Sequence, residues 1–369
     1  MTSSRGGKKY KENALSTPAP PPRIAESAAL EVATKLPGDR IVTTSVGRGQ
    51  VARGLWRQRC DASISLWYLD QYQQRLTIAD HLSEQTTLGN SDDRLTILCS
   101  SDLPEQEFDL AIVPCTVRGE AELQRDLLQQ AHARLTIGGR LVSSVDNATD
   151  RWLHDQMKEF GSKVSVTRRD DAVVYVTIKD QPLRKSRSFL CEFTFRDREQ
   201  TITAISRPGV FSHRHLDPGA KAILDAAEVS GGNRIIDIGC GAGTVALALA
   251  KRVQGIQSFA IDSNARAVEC TGLGAAKNGI DAMQTSLNCD CDCDAPASYD
   301  VALCNPPYFA NFRIAKLFIE AARAALRPGG RIYLVTKHPA WYQDNMYPGW
   351  RDTTITQGKQ YAIVTAIRG

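Results

Sequence analysis

From residue 38 onward, apolar runs of four to six residues alternate with longer stretches whose apolar positions recur at helical spacing. The runs include Asp109-Leu-Ala-Ile-Val-Pro114, Val173–Ile178, Arg234-Ile-Ile-Asp237, Ser258–Asp262, Arg331–Val335 and Gln360–Ala366. Thr244–Arg252 and Ala315–Leu326 read as helices, the second stopped by Pro328-Gly329-Gly330. Strand, glycine turn, helix and strand in repetition predict an α/β fold, a parallel sheet with helices on both faces.

The pattern occurs twice. Phe108-Asp109-Leu-Ala-Ile-Val-Pro114 matches Tyr299-Asp300-Val-Ala-Leu-Cys-Asn305 at an offset of 191 residues (300 − 109), and Ile137-Gly138-Gly139-Arg140 maps onto Pro328-Gly329-Gly330-Arg331 at the same offset. Upstream, Arg40-Ile-Val-Thr43-Thr-Ser45-Val-Gly47-Arg-Gly49 matches Arg234-Ile-Ile-Asp237-Ile-Gly239-Cys-Gly241-Ala-Gly243 at an offset of 194 (234 − 40). Such a repeat predicts two units of one architecture. Their chemistry differs. The first copy has Thr43 for Asp237, Ser45 for Gly239, and Pro114-Cys-Thr-Val117 for Asn305-Pro-Pro-Tyr308. It keeps its apolar strands but lacks the polar groups, so it is expected to serve packing or RNA contact without catalysis.

Four segments follow. Residues 1–37 are basic and proline-rich and read as a mostly disordered tail with a short helix at Glu26–Lys35. Residues 38–180 form the degenerate unit, 181–216 a basic connector and 217–369 the catalytic unit. The formal charge of +4 lies wholly in residues 1–23, where Arg5, Lys8, Lys9, Lys11 and Arg23 face only Glu12. Nucleic-acid binding therefore cannot be argued from bulk charge and needs a local patch, best offered by Leu183–Leu216. No apolar run approaches the roughly 20 residues of a membrane span, and the first residues lack a secretory signal. Ten scattered cysteines fit a reducing cytoplasm. Cys289-x-Cys291-x-Cys293 is too closely spaced for a structural zinc site, and no metal is expected.

Candidate chemistry sits where the apolar runs end. Asp300–Cys304 stops at Asn305-Pro306-Pro307-Tyr308, where two prolines fix a rigid turn. Ligands bind at the carboxyl edge of such a sheet. A planar amine there could donate to the Asn305 oxygen and the Pro306 carbonyl while stacking on Tyr308. Gly239, Gly241 and Gly243 let the chain turn sharply against a ligand. Asp262 ends the next run, placed to accept from ribose hydroxyls. Asp237, inside an apolar strand, needs partners of its own, from loop amides or a ligand.

Three such motifs on successive strand ends resemble the class I S-adenosylmethionine-dependent methyltransferases. Arg207-Pro-Gly-Val-Phe-Ser212 and Leu216-Asp217-Pro-Gly219-Ala-Lys-Ala-Ile-Leu224 resemble the segment preceding the catalytic domain in the ribosomal RNA guanine-N2 methyltransferases. The resemblance implies tandem Rossmann-like domains, the first degenerate, each with a mostly parallel sheet closed by an antiparallel last strand. It implies S-adenosylmethionine held by Asp237, Gly239, Gly241, Gly243, Asp262, Asn305 and either Asn288 or Asp290. Asn305, Pro306, Pro307 and Tyr308 would be catalytic, with Phe211, Arg207, Arg214 and Lys337 toward substrate RNA. The partner would be ribosomal RNA or a ribosomal subunit, 16S rather than 23S, met by a monomeric enzyme. Tyr308 replaces the family's usual Phe, and Phe309-Ala-Asn-Phe312 replaces a polar stretch. Adenine N6, a translation factor's glutamine, and a non-catalytic RNA-binding or assembly role therefore stay open.

Overall fold

The computed structural model describes residues 21–89, 92–307, 311–346 and 348–369, which divide into two compact units between Phe189 and Leu190. In the first unit, β1 (Arg40–Thr44), β2 (Ser63–Tyr68), β3 (Leu95–Cys99), β4 (Phe108–Cys115), β5 (Leu135–Val145), β6 (Val164–Arg168) and β7 (Val173–Ile178) form one sheet. Its order is β3-β2-β1-β4-β5-β7-β6. The second unit opens with a hairpin, β8 (Cys191–Asp197) and β9 (Gln200–Ser206). It continues with β10 (Arg234–Ile238), β11 (Gln257–Asp262), β12 (Met283–Leu287), β13 (Tyr299–Cys304), β14 (Leu326–Thr336), β15 (Trp350–Gln357) and β16 (Ala362–Arg368), ordered β12-β11-β10-β13-β14-β16-β15.

The repeat survives as strand register. Ile41 pairs with Leu110 across β1 and β4, and Ile235 with Val301 across β10 and β13. The Arg40 backbone N–H donates to Asp109 Oδ2 at 3.1 Å, and that of Arg234 to Asp300 Oδ2 at 2.7 Å. These acids fix where the central strands start, so both sheets hold one register.

Strands buried on both faces explain the continuous apolar runs. In the second unit Ile236 and Ile238 face Phe318 and Ala322 of the helix Arg313–Ala325. Ile235 faces the other layer, with Ile223 from the helix Pro218–Ala226 and Leu247 from the helix Thr244–Arg252. Order reverses at β10, whose neighbours β11 and β13 diverge from there, and a crevice opens outside the carboxyl ends at such a point.

Three expectations change. The last strand does not close either sheet: β16 runs antiparallel between β14 and the edge strand β15, as β7 does between β5 and β6. The edge strand Trp350–Gln357 is mostly polar and half-exposed, so it left no apolar run to read. Residues 191–206 are not a solvated connector but the hairpin, which buries Ile202 and Ala204 in the second unit. There Asp197 accepts from Arg252 at 2.7 Å, both nearly enclosed. Finally, the helix near the start of the chain spans Ile24–Ala33 and is part of the first unit's core, with Ala28, Ala29 and Ala33 fully buried. Residues 1–20 lie outside the described residues.

Candidate active site at the switch point

The glycine bend follows β10. Gly239 and Cys240 donate their backbone N–H groups to Ile261 O, at 2.8 and 3.0 Å, which lashes the bend to β11. Gly243 has φ +70 and caps the helix Thr244–Arg252, and a Cβ there would lie 2.7 Å from Thr271. A side chain is excluded on both counts. At Gly241 a Cβ would meet nothing nearer than Phe211 at 3.9 Å, so the bend opens onto free space at that residue. Gly49, the counterpart of Gly243, adopts the same left-handed conformation with φ +66.

Two carboxylates flank the bend. Asp262 Oδ2 accepts from the Gly241 N–H at 2.9 Å, and Oδ1 from the Asn264 N–H at 2.9 Å. A carboxylate has about four acceptor directions, so it can hold the bend and still meet hydroxyls. Asp237 is 4% exposed, and its Oδ2 is buried without a partner among the described residues. Burial pushes its pKa up to about 7, the Ala246 N–H opposes that, and the Asp262 charge adds to it. An enclosed acceptor aimed at this crevice suits a donor that the chain itself does not supply.

The wall facing the bend comes from residues 207–220. Asn264 Nδ2 donates to Gly209 O at 2.6 Å and Arg266 Nη1 to Pro208 O at 2.8 Å, fastening this segment beside Asp262. Phe211 then stands 66% exposed over the glycine bend. Phe211, Ser212, Asp217, Asp237, Gly239, Gly241 and Asn305 line one cavity.

Asn305 follows β13 immediately. Its Nδ2 donates to Asp217 Oδ2 at 2.9 Å, the same oxygen that accepts from the Ala220 N–H at 2.9 Å and so caps the helix Pro218–Ala226. Pro306 is buried and Pro307 half-buried beside it, whereas Tyr308 lies outside the described residues.

Other expected residues are placed differently. The Arg207 guanidinium is held by Glu269 at 2.7 Å and is largely enclosed. Arg214 is exposed in the turn after Phe211, with φ +75. Lys337 is exposed and lies over the Tyr361 ring at 5.0 Å. Asn288 Oδ1 accepts from the Asp290 N–H at 2.9 Å, so this amide shapes its own loop, and neither residue lines the cavity. Among the described residues, no group of three or more His, Cys, Asp or Glu could hold a metal.

The first unit's equivalent bend is filled from within. Glu26, fully buried, accepts from Ser45 Oγ and from the backbone N–H groups of Val46 at 2.9 Å and Gln50 at 2.7 Å. Burial raises its pKa, against the lowering effect of those bonds. Tyr68, at the position equivalent to Asp262, hydrogen-bonds Thr77 at 2.7 Å. A carboxylate of the chain thus satisfies the helix amides that a ligand would otherwise meet. The sequence marked Asp217 only as part of the segment resembling the entry to the catalytic domain and gave Glu26 no role, because each meets its partner through the fold.

Residues 201–365 match the family described as the methyltransferase small domain. The ribosomal RNA small subunit methyltransferase C of Acinetobacter baumannii is 28% identical over 284 residues, covering 74% of this chain and 79% of that protein. Its namesake in Pseudomonas entomophila is 28% identical over 279 residues, covering 72% and 81%. The solved T. thermophilus 16S rRNA N2 G1207 methyltransferase, in complex with AdoMet and guanosine, superposes with a TM-score of 0.74 at 20% identity. That match covers 95% of this chain and 94% of the other. Both units have the class I methyltransferase fold.

Proposed function

We propose that this protein is an S-adenosylmethionine-dependent methyltransferase acting on the exocyclic N2 amine of a guanosine in 16S ribosomal RNA. The observation that carries the reading is the convergence of Asn305, Asp237, Gly241 and Phe211 on one crevice at the switch point. The names of the similar small-subunit methyltransferases and the guanosine in the T. thermophilus complex support the choice of base and RNA.

The crevice fits the cofactor. Asp262 accepts from the ribose hydroxyls, the orphaned Asp237 oxygen from the amino group, and the open face of Gly241 admits the chain between them. Asn288 and Asp290 remain the candidates for the adenine edge. Bound S-adenosylmethionine supplies an electrophilic methyl, whose bond to sulfur breaks as the amine lone pair forms the new N–C bond, sulfur keeping the electrons.

The chain's own task is to hold the amine. A guanine amine is a weak nucleophile because its lone pair is delocalised into the ring. The Asn305 oxygen and the Pro306 carbonyl accept its two hydrogens and aim the lone pair outward, and the surplus proton leaves to water. Orientation of this kind is worth on the order of 7–11 kcal/mol in the best intramolecular cases. Phe211 provides a face for the base, which must be unpaired or turned out of its helix to arrive. Exposed Arg214 and Lys337 meet phosphate.

The enzyme works as a monomer in the cytoplasm, where its ten cysteines stay reduced. Tritium transfer from labelled S-adenosylmethionine to 16S RNA, 23S RNA, small subunits and release factors tests the reading. Label in N2-methylguanosine of 16S RNA is expected. Label only in N6-methyladenine, only in protein, or nowhere overturns it.

A further inference from the structure

We infer that Asp217 is a positioning residue that sets which end of the Asn305 amide meets the substrate. The inference rests on the amine-holding role of Asn305 and assigns the group that makes that role possible.

The two ends of an amide have nearly the same shape and opposite chemistry. One accepts a substrate amine and the other repels it, and the terminal side-chain torsion is broad and roughly two-fold. Nothing in Asn305 itself selects the accepting end. Asp217 does, because a carboxylate only accepts hydrogen bonds. Its Oδ2, 2.9 Å from Nδ2, must face the NH2 end. The assignment therefore follows from chemistry rather than from the shape of the side chain. The Asn305 oxygen is left pointing elsewhere and takes no hydrogen bond from the described residues.

The carboxylate is itself immobilised. Asp217 Oδ2 also accepts from the Ala220 N–H at 2.9 Å, which anchors it to the first turn of the helix Pro218–Ala226. Gly219 leaves the room: a Cβ there would lie 2.7 Å from Asp217 Oδ2 and 3.3 Å from Asn305 Oδ1. Chain order separates Asp217 from Asn305 by 88 residues, and the fold brings them to one oxygen–nitrogen contact. The cap of the helix Pro218–Ala226 and the turn after β13 thus form one acceptor.

Two variants separate positioning from helix capping. Asp217→Ser keeps a good cap but is too short to reach Asn305 as well. Asp217→Asn can place its amide oxygen where Oδ2 stands and accept both bonds. Methyl transfer to the RNA that the wild-type protein modifies is measured alongside cofactor affinity by calorimetry and thermal melting. Asp217→Ser is expected to lower kcat roughly tenfold to a hundredfold, the scale of one lost hydrogen bond to a charged group. Its melting temperature and cofactor affinity stay near wild type, and Asp217→Asn recovers most of kcat. Wild-type kcat in Asp217→Ser overturns this inference alone. So does an equal loss in both variants, or a loss that follows melting temperature. A wild-type protein that transfers no methyl overturns the proposed function and this inference together.

Discussion

Gly241 donates its backbone N–H to Asp262 Oδ2 at 2.9 Å, so the bend that ends β10 and the acid that ends β11 form one rigid corner. Ligand hydroxyls placed on Asp262 are thereby placed relative to the bend as well. Asp262→Ala removes both functions. Its affinity for S-adenosylmethionine, read by calorimetry, is expected to fall about tenfold to a hundredfold, the equivalent of roughly 1.5–3 kcal/mol. An unchanged affinity would remove Asp262 from the cofactor site.

Asp237 makes the ligand-free protein sensitive to pH. Its folded pKa, raised by burial to about 7, lies above its ordinary value of 3.8. The folded state therefore binds the proton more tightly than the unfolded state does. The resulting stabilisation is complete below about pH 4 and is lost as pH rises through about 7. Asp237→Asn lacks that dependence. In urea unfolding between about pH 5 and 8, wild type should lose stability relative to Asp237→Asn as the pH rises. A difference that stays constant with pH would contradict the burial argument. Cofactor affinity should move the other way, strengthening with pH, since the ionised acid accepts more strongly from a charged amino group than the neutral acid does.

Asn305→Ala takes away the amine acceptor and leaves the glycine bend intact. Transfer should fall on the order of 10²–10³-fold, the scale of losing one preorganised polar group at a reacting centre. S-adenosylmethionine affinity should stay within a few fold, since the bend and both flanking acids remain. Single-turnover methylation and calorimetry on the same variant read the two effects separately. Transfer at the wild-type rate would sink the assignment.

Glu26→Ala tests the filled bend of the first unit. It removes the acceptor of the Ser45 hydroxyl and of the part-buried N–H groups of Val46 and Gln50. The expected loss is roughly 3 kcal/mol or more in denaturant unfolding. Wild-type protein should titrate with one S-adenosylmethionine per chain. A second site would show that Glu26 does not fill the first unit's bend.

The parallel sheets were legible because strands covered on both faces must be apolar throughout, as in Arg234–Ile238 and Tyr299–Cys304. The duplication was legible because register is set by acids at equivalent positions, Asp109 and Asp300. Edge strands β6 and β15 were not, since an exposed edge tolerates polar residues and leaves no run. Asp262 and Asn305 could be picked out because strand ends concentrate chemistry. Their pairings could not: Asp217 could be placed in the segment before the helix but not on Asn305, 88 residues away, and Glu26 could be placed in a short helix but not on the bend after β1. The ion pair of Arg207 was not legible either, because charge alone does not say whether a guanidinium already has an acid, here Glu269.

Filling a bend with its own carboxylate has a consequence for drift and for inhibitors. With Glu26 on the amides of the first unit, Thr43 and Ser45 stand where the second unit has Asp237 and Gly239. A donor analogue designed against this protein would find a single seat per chain, and resistance to it could arise only in the second half.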